Sequence, residues 1–299
     1  MRPKGIRTPS SRRVRRIAGS LVAGALVLAT SLTASAGQAS AGTGGGNNDP
    51  SCKPSAAHPY PVVLLHGLGA TYYEDLNFLQ ADLALKGYCT FSATYGAYAG
   101  FPLVGGLKHI GDSAPEIAAF IHQVLAETGA PKVDLVGHSE GAFQALYVTK
   151  TQNVAANVDK VVALAPPTHG TSFAGLYSIV MALGIQPQTQ AVLNTLGCGA
   201  CSDLVTGGAA VTTLDNGPIA QPGVHYTVIT SRTDELVTPT ATSFVDEPGV
   251  TNEYVQNTCP FDPVGHIGEA YDPNVWHLIE NALDPQHATG FLCVLGSPG

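Results

Sequence analysis

The feature that most constrains this chain is a Gly-His-Ser-Glu-Gly motif at residues 137–141, which directly follows the apolar run of residues 133–136. A turn that passes from a strand into a helix at this spacing is too tight for side chains at its flanks. Gly137 and Gly141 therefore leave room while Ser139 is lifted clear of the backbone. So short a pattern also occurs by chance, because Gly and Ser are common residues, but the flanking strand and helix favour a nucleophile elbow.

Apolar runs of strand length alternate along the chain with segments of helical periodicity. Strands are predicted over residues 61–65, 88–94, 133–136, 160–165, 224–230 and 254–256. Helices are predicted over residues 74–86, 112–128, 142–151 and 274–283. The alternation predicts an α/β fold with a mostly parallel central sheet flanked by helices. Residues 172–222 interrupt it, and we expect an insertion there, either a cap over an active site or additional core.

The N-terminal region resembles an export signal. Seven basic residues and no acid precede an apolar stretch, residues 21–32, that is too short to span a bilayer. We expect a signal peptide over residues 1–41, cleaved after Ala36 or Ala41, with a retained membrane anchor as the alternative. The Arg12-Arg13 pair leaves the twin-arginine route open beside the general one. We expect a flexible mature N-terminus over residues 42–58 to follow, and after it a catalytic domain over residues 59–299.

Removal of this leader changes the charge of the chain. It leaves seven basic residues against 22 acidic ones, a net charge of −15. Such a surface argues against nucleic acid and anionic membranes as partners, and favours a chain that is soluble outside the cell. We expect no transmembrane segment in the mature chain, and we favour a monomer, although the sequence does not determine the oligomeric state.

All six cysteines lie downstream of the leader: Cys52, Cys89, Cys198, Cys201, Cys259 and Cys293. An even number of cysteines in an exported chain predicts disulfides, for which 15 pairings are possible. Cys198 and Cys201 can form a local bridge, and the other four would then pair as Cys52 with Cys89 and Cys259 with Cys293. A metal site would need a second pair of ligands near the Cys-x-x-Cys, and none is evident. Calcium at Asp203 or Asp262 stays undecided, because no ligand cluster stands out.

A Ser nucleophile needs a His base, and the base needs a carboxylate that orients it. In chains with such an elbow the order is Ser, then acid, then His. His266 lies in a glycine-flanked loop between the last predicted strand and the last predicted helix, where the base belongs. His169 is the alternative. Asp234 follows the strand over residues 224–230 and is the predicted acid, with Glu235 as the alternative.

A tetrahedral intermediate also needs backbone N–H groups for its oxyanion. One donor is predicted at Glu140, the residue after the nucleophile. The other is predicted at Leu68, in the His-Gly-Leu-Gly loop of residues 66–69 that ends the first strand. A structural glycine turn is the alternative for this loop.

Four segments together carry a resemblance to a known family: residues 63–69, 136–141, 231–237 and 264–268. In order and context they resemble the secreted bacterial triacylglycerol lipases of the α/β-hydrolase fold. This class 2 group includes small Bacillus lipases and larger actinobacterial ones. The resemblance implies ester hydrolysis by a triad of Ser139, Asp234 and His266. It also implies an oxyanion hole formed by the main-chain N–H groups of Leu68 and Glu140.

The chain departs from the small Bacillus members in two ways. Those members have Met after the nucleophile and no counterpart to residues 172–222, so their lidless architecture cannot be assumed here. Glu140 places an acid beside the oxyanion hole, and we expect its charge to favour a neutral or cationic substrate surface.

We therefore expect a secreted serine hydrolase that cleaves esters of apolar acyl chains, such as acylglycerols, at an oil–water interface and without a cofactor. A short-chain carboxylesterase and an extracellular polyester depolymerase are alternatives that use the same residues. A catalytically inactive hydrolase-like binding protein is the alternative from another class. Acyl chain length, regioselectivity, stereoselectivity and movement of the insertion are not determined by the sequence.

Overall fold

The computed structural model of the chain describes residues 46–172 and 197–297. Within these residues one sheet contains six strands: β1 Val62–Leu65, β2 Thr90–Ser92, β3 Val133–His138, β4 Val158–Leu164, β5 His225–Thr230 and β6 Val250–Tyr254. Their order is β2-β1-β3-β4-β5-β6, and every neighbouring pair is parallel. The predicted α/β fold with a mostly parallel sheet is confirmed.

Eight helices lie in the same described residues: α1 Asn77–Leu85, α2 Ile110–Thr128, α3 Glu140–Thr151, α4 Gly199–Asp203, α5 Ala209–Asp215, α6 Val255–Thr258, α7 His266–Glu269 and α8 Pro273–Leu283. Helix α2 ends at Gly129, whose φ of 75° is a left-handed conformation that glycine adopts without steric cost. Helix α8 begins at Asp272, whose side chain accepts hydrogen bonds from the backbone N–H groups of Asn274 and Val275. The helix boundaries therefore have local causes in the sequence.

Both faces of the sheet are buried. Val63 and Leu65 of β1 lie in a core that also contains apolar residues of α2 and α3. Val62 and Leu64 lie on the opposite face, in a core shared with α1 and α8. Because successive side chains of a strand point to opposite faces, a strand covered on both sides is a continuous apolar run. This is the pattern that β1 shows in the sequence.

The order of the strands reverses at β1. The chain goes from β1 to β2 on one side and then returns to β3 on the other side of β1. In parallel sheets of this kind, ligands bind in the crevice outside the carboxyl ends of the strands at such a point. The loop after β1 and the Gly-His-Ser-Glu-Gly turn after β3 both leave the sheet at this edge.

Two predicted elements, the last strand and the first helix, start more than two residues away from the predicted position, whereas the other boundaries agree to within two residues. The last strand is Val250–Tyr254 instead of residues 254–256, and the chain enters a helix at Val255. The central residues of this strand, Thr251, Asn252 and Glu253, are polar, so the strand shows no apolar run in the sequence. Helix α1 begins at Asn77 instead of residue 74, because Asp75 has a φ of 67° that is incompatible with a helix.

The cysteines pair as the sequence predicted: Cys52 with Cys89, Cys198 with Cys201, and Cys259 with Cys293. The first disulfide joins the segment before β1 to the start of β2, where the Asn48 N–H also donates to the Thr90 carbonyl at 2.8 Å. Residues 46–58 are thus attached to the edge of the sheet.

Part of the predicted insertion, residues 173–196, lies outside the described residues. The described part contains α4 and α5, whose buried residues, among them Ala200 and Leu214, pack into the core on the α2 and α3 face. A cap function of residues 172–222 stays a prediction. In the part of the chain that the structure describes, no helix has both the length and the apolar composition needed to cross a membrane.

Candidate active site

Ser139 lies in the tight turn between β3 and α3. Its φ of 55° and ψ of −121° are unusual for a residue with a side chain, and such strain is typical of functional turns. A Cβ atom on Gly137 would lie 2.3 Å from the Gly141 carbonyl oxygen, and one on Gly141 would lie 2.2 Å from the Leu65 carbonyl oxygen. Only glycine fits at either position. The geometry is that of the predicted elbow.

The structure brings Ser139, His266 and Asp234 together. His266 Nε2 lies 2.8 Å from Ser139 Oγ, and His266 Nδ1 lies 2.8 Å from Asp234 Oδ2. Burial opposes ionisation of Asp234, but interaction with His266 and with two backbone N–H groups holds its pKa below the usual value. An ionised carboxylate only accepts hydrogen bonds, so His266 donates from Nδ1. Its Nε2 is then free to accept the Ser139 hydroxyl proton.

The two alternative residues have other partners. The exposed Glu235 meets only the backbone N–H of His266, at 3.4 Å, and not its ring. His169 is exposed, and its ring nitrogens lie 2.7 Å from Asp215 Oδ1 and 3.0 Å from the Phe244 carbonyl oxygen. Neither residue faces the Ser139 hydroxyl.

The two predicted oxyanion donors lie in segments that adjoin Ser139. Among the described residues, neither the Leu68 N–H nor the Glu140 N–H donates to another group. Glu140 is the first residue of α3, where the backbone N–H groups have no acceptor within the helix. Gly67, next to Leu68, packs against the nucleophile, since a Cβ there would lie 3.4 Å from Ser139 Cβ. Both N–H groups are thus without a protein acceptor among the described residues, and their role as oxyanion donors stays a prediction.

The expectation that the charge of Glu140 faces the substrate is wrong. The residue is only 1% exposed. Its Oε1 accepts a hydrogen bond from Gln144 Nε2 at 3.0 Å, and its Oε2 lies 2.8 Å from the Tyr95 hydroxyl. Burial raises the pKa of Glu140 to about 8, so the side chain is a neutral acid near pH 7. The position of Glu140 in the turn could be predicted from the sequence, whereas its buried environment could not.

Sequence reasoning missed a second His–Asp pair beside the first. His138, the residue before Ser139, places Nδ1 2.7 Å from Asp75 Oδ1 and Nε2 2.9 Å from the His266 carbonyl oxygen. Asp75 Oδ2 also accepts a hydrogen bond of 2.6 Å from the Gly67 N–H. Asp75 therefore connects the loop after β1 to the elbow. Its sequence context, inside a predicted helix, contains no signal of this role.

A further buried acid, Glu269, interacts electrostatically with Asp234. Its Oε1 accepts a 2.9 Å hydrogen bond from the Ser231 N–H, and its Oε2 has no hydrogen-bond partner among the described residues. Burial, and after it the charge of Asp234, raises the pKa of Glu269 well above the usual value. Burial and the charge of Asp234 thus both favour the neutral form of Glu269.

The acids considered for calcium have protein donors as partners. Asp203 Oδ2 accepts from the Ile110 N–H at 2.9 Å, and Asp262 Oδ2 accepts from Asn274 Nδ2 at 2.6 Å. Within residues 46–172 and 197–297, no group of three or more His, Cys, Asp or Glu side chains is arranged to hold a metal ion.

The parallel sheet, the strained serine turn and the loop after β1 define an α/β-hydrolase fold. Solved structures of this fold are similar to the chain. Aspergillus fumigatus lipase B matches with a TM-score of 0.57 at 19% identity, over 82% of this chain and 57% of the lipase. A soluble variant of the monoglyceride lipase from Saccharomyces cerevisiae matches with a TM-score of 0.57 at 16% identity, over 82% and 90% of the two chains.

The chain belongs to the lipase (class 2) family, whose model matches residues 59–274. It is 33% identical over 131 residues to a triacylglycerol lipase from Pseudarthrobacter phenanthrenivorans, which covers 42% of this chain and 39% of that lipase. A triacylglycerol lipase from Burkholderia plantarii is also 33% identical over 131 residues, and this match covers 42% of this chain and 34% of that lipase. The matches thus span well under half the length of these relatives.

Proposed function

We propose that the chain hydrolyses carboxylic esters with Ser139 as the nucleophile, His266 as the general base and Asp234 as the group that orients the base. One observation carries the proposal. The His266 ring has its two nitrogens 2.8 Å from Ser139 Oγ and 2.8 Å from Asp234 Oδ2. Membership of the lipase family supports the same activity.

The reaction follows from the direction of these hydrogen bonds. Ser139 Oγ attacks the ester carbonyl carbon while His266 Nε2 takes the hydroxyl proton. The N–H groups of Leu68 and Glu140 stabilise the oxyanion that forms. His266 then gives the proton to the leaving alcohol oxygen, and an acyl-enzyme remains. A water molecule, deprotonated by His266, attacks this acyl group and releases the carboxylic acid.

The proposed substrates are esters of apolar acyl chains, acylglycerols in particular. Large apolar side chains are exposed in segments that carry or contact the proposed site residues: Tyr73, Leu103 and Ile267. Ile267 follows the base directly, and Leu103 precedes Gly105, whose N–H and C=O pair with the loop after β1. Exposed apolar surface at a site mouth favours contact with a lipid or another apolar surface.

We further propose that the protein acts outside the cell. All six cysteines are in disulfides. Disulfides persist in oxidising compartments and are rare in the cytosol. An extracellular lipase is consistent with this cysteine use.

The first test is covalent labelling by an organophosphonate ester, read by mass spectrometry of the intact protein and of the peptide that contains Ser139. We expect one adduct on Ser139 and none in the Ser139→Ala variant, with ester hydrolysis lost in parallel. Hydrolysis that survives in Ser139→Ala would refute the proposed nucleophile.

The second test measures hydrolysis of esters of increasing acyl length, below and above the concentration at which each substrate forms an emulsion. A lipase is expected to show a sharp rise in rate once the emulsion forms. A rate that saturates on soluble short-chain esters, with no such rise, would indicate a carboxylesterase. Turnover of a solid polyester film without the rise would indicate a depolymerase.

A further inference from the structure

The hydrogen bonds around Tyr95 require a proton on Glu140. The Tyr95 hydroxyl lies 2.5 Å from the His66 carbonyl oxygen and 2.8 Å from Glu140 Oε2. A phenol has one proton to donate, a carbonyl oxygen only accepts, and an ionised carboxylate only accepts. Both contacts are hydrogen bonds only if Glu140 is protonated. Protonated Glu140 Oε2 then donates a hydrogen bond to the Tyr95 oxygen, and the Tyr95 hydroxyl donates one to the His66 carbonyl oxygen.

The groups around Glu140 favour this neutral form. On α3, Gln144 donates to Oε1. From the loop after β1, His66 is a neutral ring, because Nδ1 faces the Gly67 carbonyl at 2.9 Å and Nε2 accepts from the Tyr95 N–H at 3.3 Å. The negative charge of Asp75, in the turn before α1, opposes ionisation of Glu140 further.

Two neighbouring His–Asp pairs also lie at this edge of the sheet. His138 is paired with Asp75, and His266 is paired with Asp234. Among the described residues, no Lys or Arg forms an ion pair with Glu140. Burial raises the pKa of Glu140 to about 8, which agrees with the proton count.

The hydrogen bonds from Glu140 through Tyr95 to the His66 carbonyl, here called the bridge, connect the segments that carry the two proposed oxyanion donors. Glu140 supplies one donor through its own N–H, and the His66 carbonyl lies two residues before Leu68, which supplies the other. The side chain of Glu140 thus reaches, through Tyr95, the backbone that carries the second donor. A Cβ atom on Gly106 would lie 2.9 Å from Glu140 Oε2, so the loop that contains this glycine closes over the bridge.

We propose that Glu140 is a positioning residue that acts as a neutral carboxylic acid, donating through Tyr95 to the His66 carbonyl and so fixing the two oxyanion donors relative to each other. The inference rests on the proposed ester hydrolysis. Loss of the proton removes one of the two hydrogen bonds of Tyr95. It also places a negative charge next to the developing oxyanion, where preorganised donors act most strongly. Activity should therefore fall as Glu140 ionises at alkaline pH.

Glu140→Gln separates charge from shape, because the amide has the same size, can donate to the Tyr95 oxygen and does not titrate. The experiment measures kcat and KM on a soluble ester between about pH 6 and pH 10, a range that includes the usual pKa of histidine. In the wild type we expect the alkaline decline of kcat to begin near pH 8. In Glu140→Gln the decline should move upward by about one pH unit or more.

The matched control is Glu127→Gln, an acid at the end of α2 whose side chain accepts only from Gln123. Its pH profile should coincide with that of the wild type. Tyr95→Phe breaks the bridge without removing the acid, and we expect kcat to fall about tenfold to a hundredfold with little change in KM, as for a misaligned donor. Coincident alkaline declines in the wild type and Glu140→Gln would overturn the inference, and so would an unchanged kcat in Tyr95→Phe.

Thermal unfolding provides a measurement that does not depend on activity. The folded protein keeps a proton on Glu140 up to about pH 8, whereas the unfolded chain releases it near the usual value of 4.5. The Tm of the wild type should therefore fall relative to that of Glu140→Gln as pH rises between these values. A Tm difference that is constant with pH would overturn the inference. Absence of ester hydrolysis by the wild type at every pH, with Ser139 unlabelled, would instead overturn the proposed function.

Discussion

Two buried His–Asp pairs lie side by side at the carboxyl edge of the sheet, and their rings are 4.9 Å apart. In each pair the histidine Nδ1 faces an aspartate oxygen, at 2.8 Å for His266 and Asp234 and at 2.7 Å for His138 and Asp75. The pairs differ in what the other ring nitrogen meets. His266 Nε2 meets the Ser139 hydroxyl, which can donate, whereas His138 Nε2 meets a backbone carbonyl, which can only accept.

The group that faces the histidine Nε2 decides the chemistry of each pair. Because both neighbours of His138 are acceptors, its ring is satisfied only when both nitrogens carry protons. Burial disfavours that charged form, but the charge of Asp75 raises the pKa of His138 above the usual value. His138 has no lone pair to offer and joins three segments of backbone. His266 keeps a lone pair facing a hydroxyl and can act as a base. The same two residue types thus form a structural tie in one place and a proton acceptor in the other.

The largest expected effect, on kcat, should appear when Asp234, the proposed orienting acid, is replaced by its neutral amide. In Asp234→Asn the amide can donate to His266 Nδ1, so the ring takes the wrong tautomer, and we expect kcat to fall about 10⁴-fold. Far-UV circular dichroism should show a folded protein. A fall smaller than about tenfold would mean that Asp234 does not orient the base.

Asp75→Ala tests the structural pair. It leaves the buried His138 without its counter-charge and the Gly67 N–H without an acceptor, so the free energy of unfolding should fall by about 3 kcal/mol. Urea unfolding followed by circular dichroism measures this loss. The matched control is Asp215→Ala, which breaks the exposed pair with His169. It should cost less than about 1 kcal/mol. Equal losses in the two variants would show that burial does not distinguish them.

The pH dependence of stability should also identify the charged histidine. The pKa of His138 is raised above its usual 6.5, so its contribution is complete below that value and is lost as pH rises through the folded pKa. The pKa of Asp75 is lowered from 3.8, so its contribution is present above that value and is lost as pH falls through the folded pKa. The Tm difference between the wild type and His138→Gln should thus be largest between these limits and shrink on the alkaline side.

This comparison of Tm values isolates the His138–Asp75 pair, because Glu140 and the other titrating acids are present in both proteins. A difference that grows with alkaline pH would mean that His138 is neutral in the folded state.

The smallest effect is expected from Glu235→Gln. Glu235 is exposed and meets only the backbone N–H of His266, so kcat should change less than about threefold, in line with weak exposed interactions. The measurement is the same soluble-ester assay, with Asp234→Asn beside it. A large loss in Glu235→Gln with a small one in Asp234→Asn would exchange the proposed roles of the two acids.

Much of this arrangement could be predicted from the sequence. Gly137 and Gly141 flank Ser139 for a steric reason that operates within five residues. The segment around Asp234 follows β5, which an apolar run identifies, and parallel strands bring their carboxyl ends to one edge. By contrast, β6 was misplaced because its polar residues carry no strand pattern, and Asp75 went unnoticed because its left-handed backbone lay inside a helical pattern.

The sequence by itself determined the elements whose causes are local: the serine turn, the order of Ser, acid and His, and the parallel sheet. Tertiary structure alone decided which buried histidine faces a hydroxyl and which faces a carbonyl. It also decided that Glu140 is a neutral acid bound to Tyr95 and not a charge at the surface. The physical reason is that protonation depends on burial and on partners across space, such as the 45 positions between Tyr95 and Glu140.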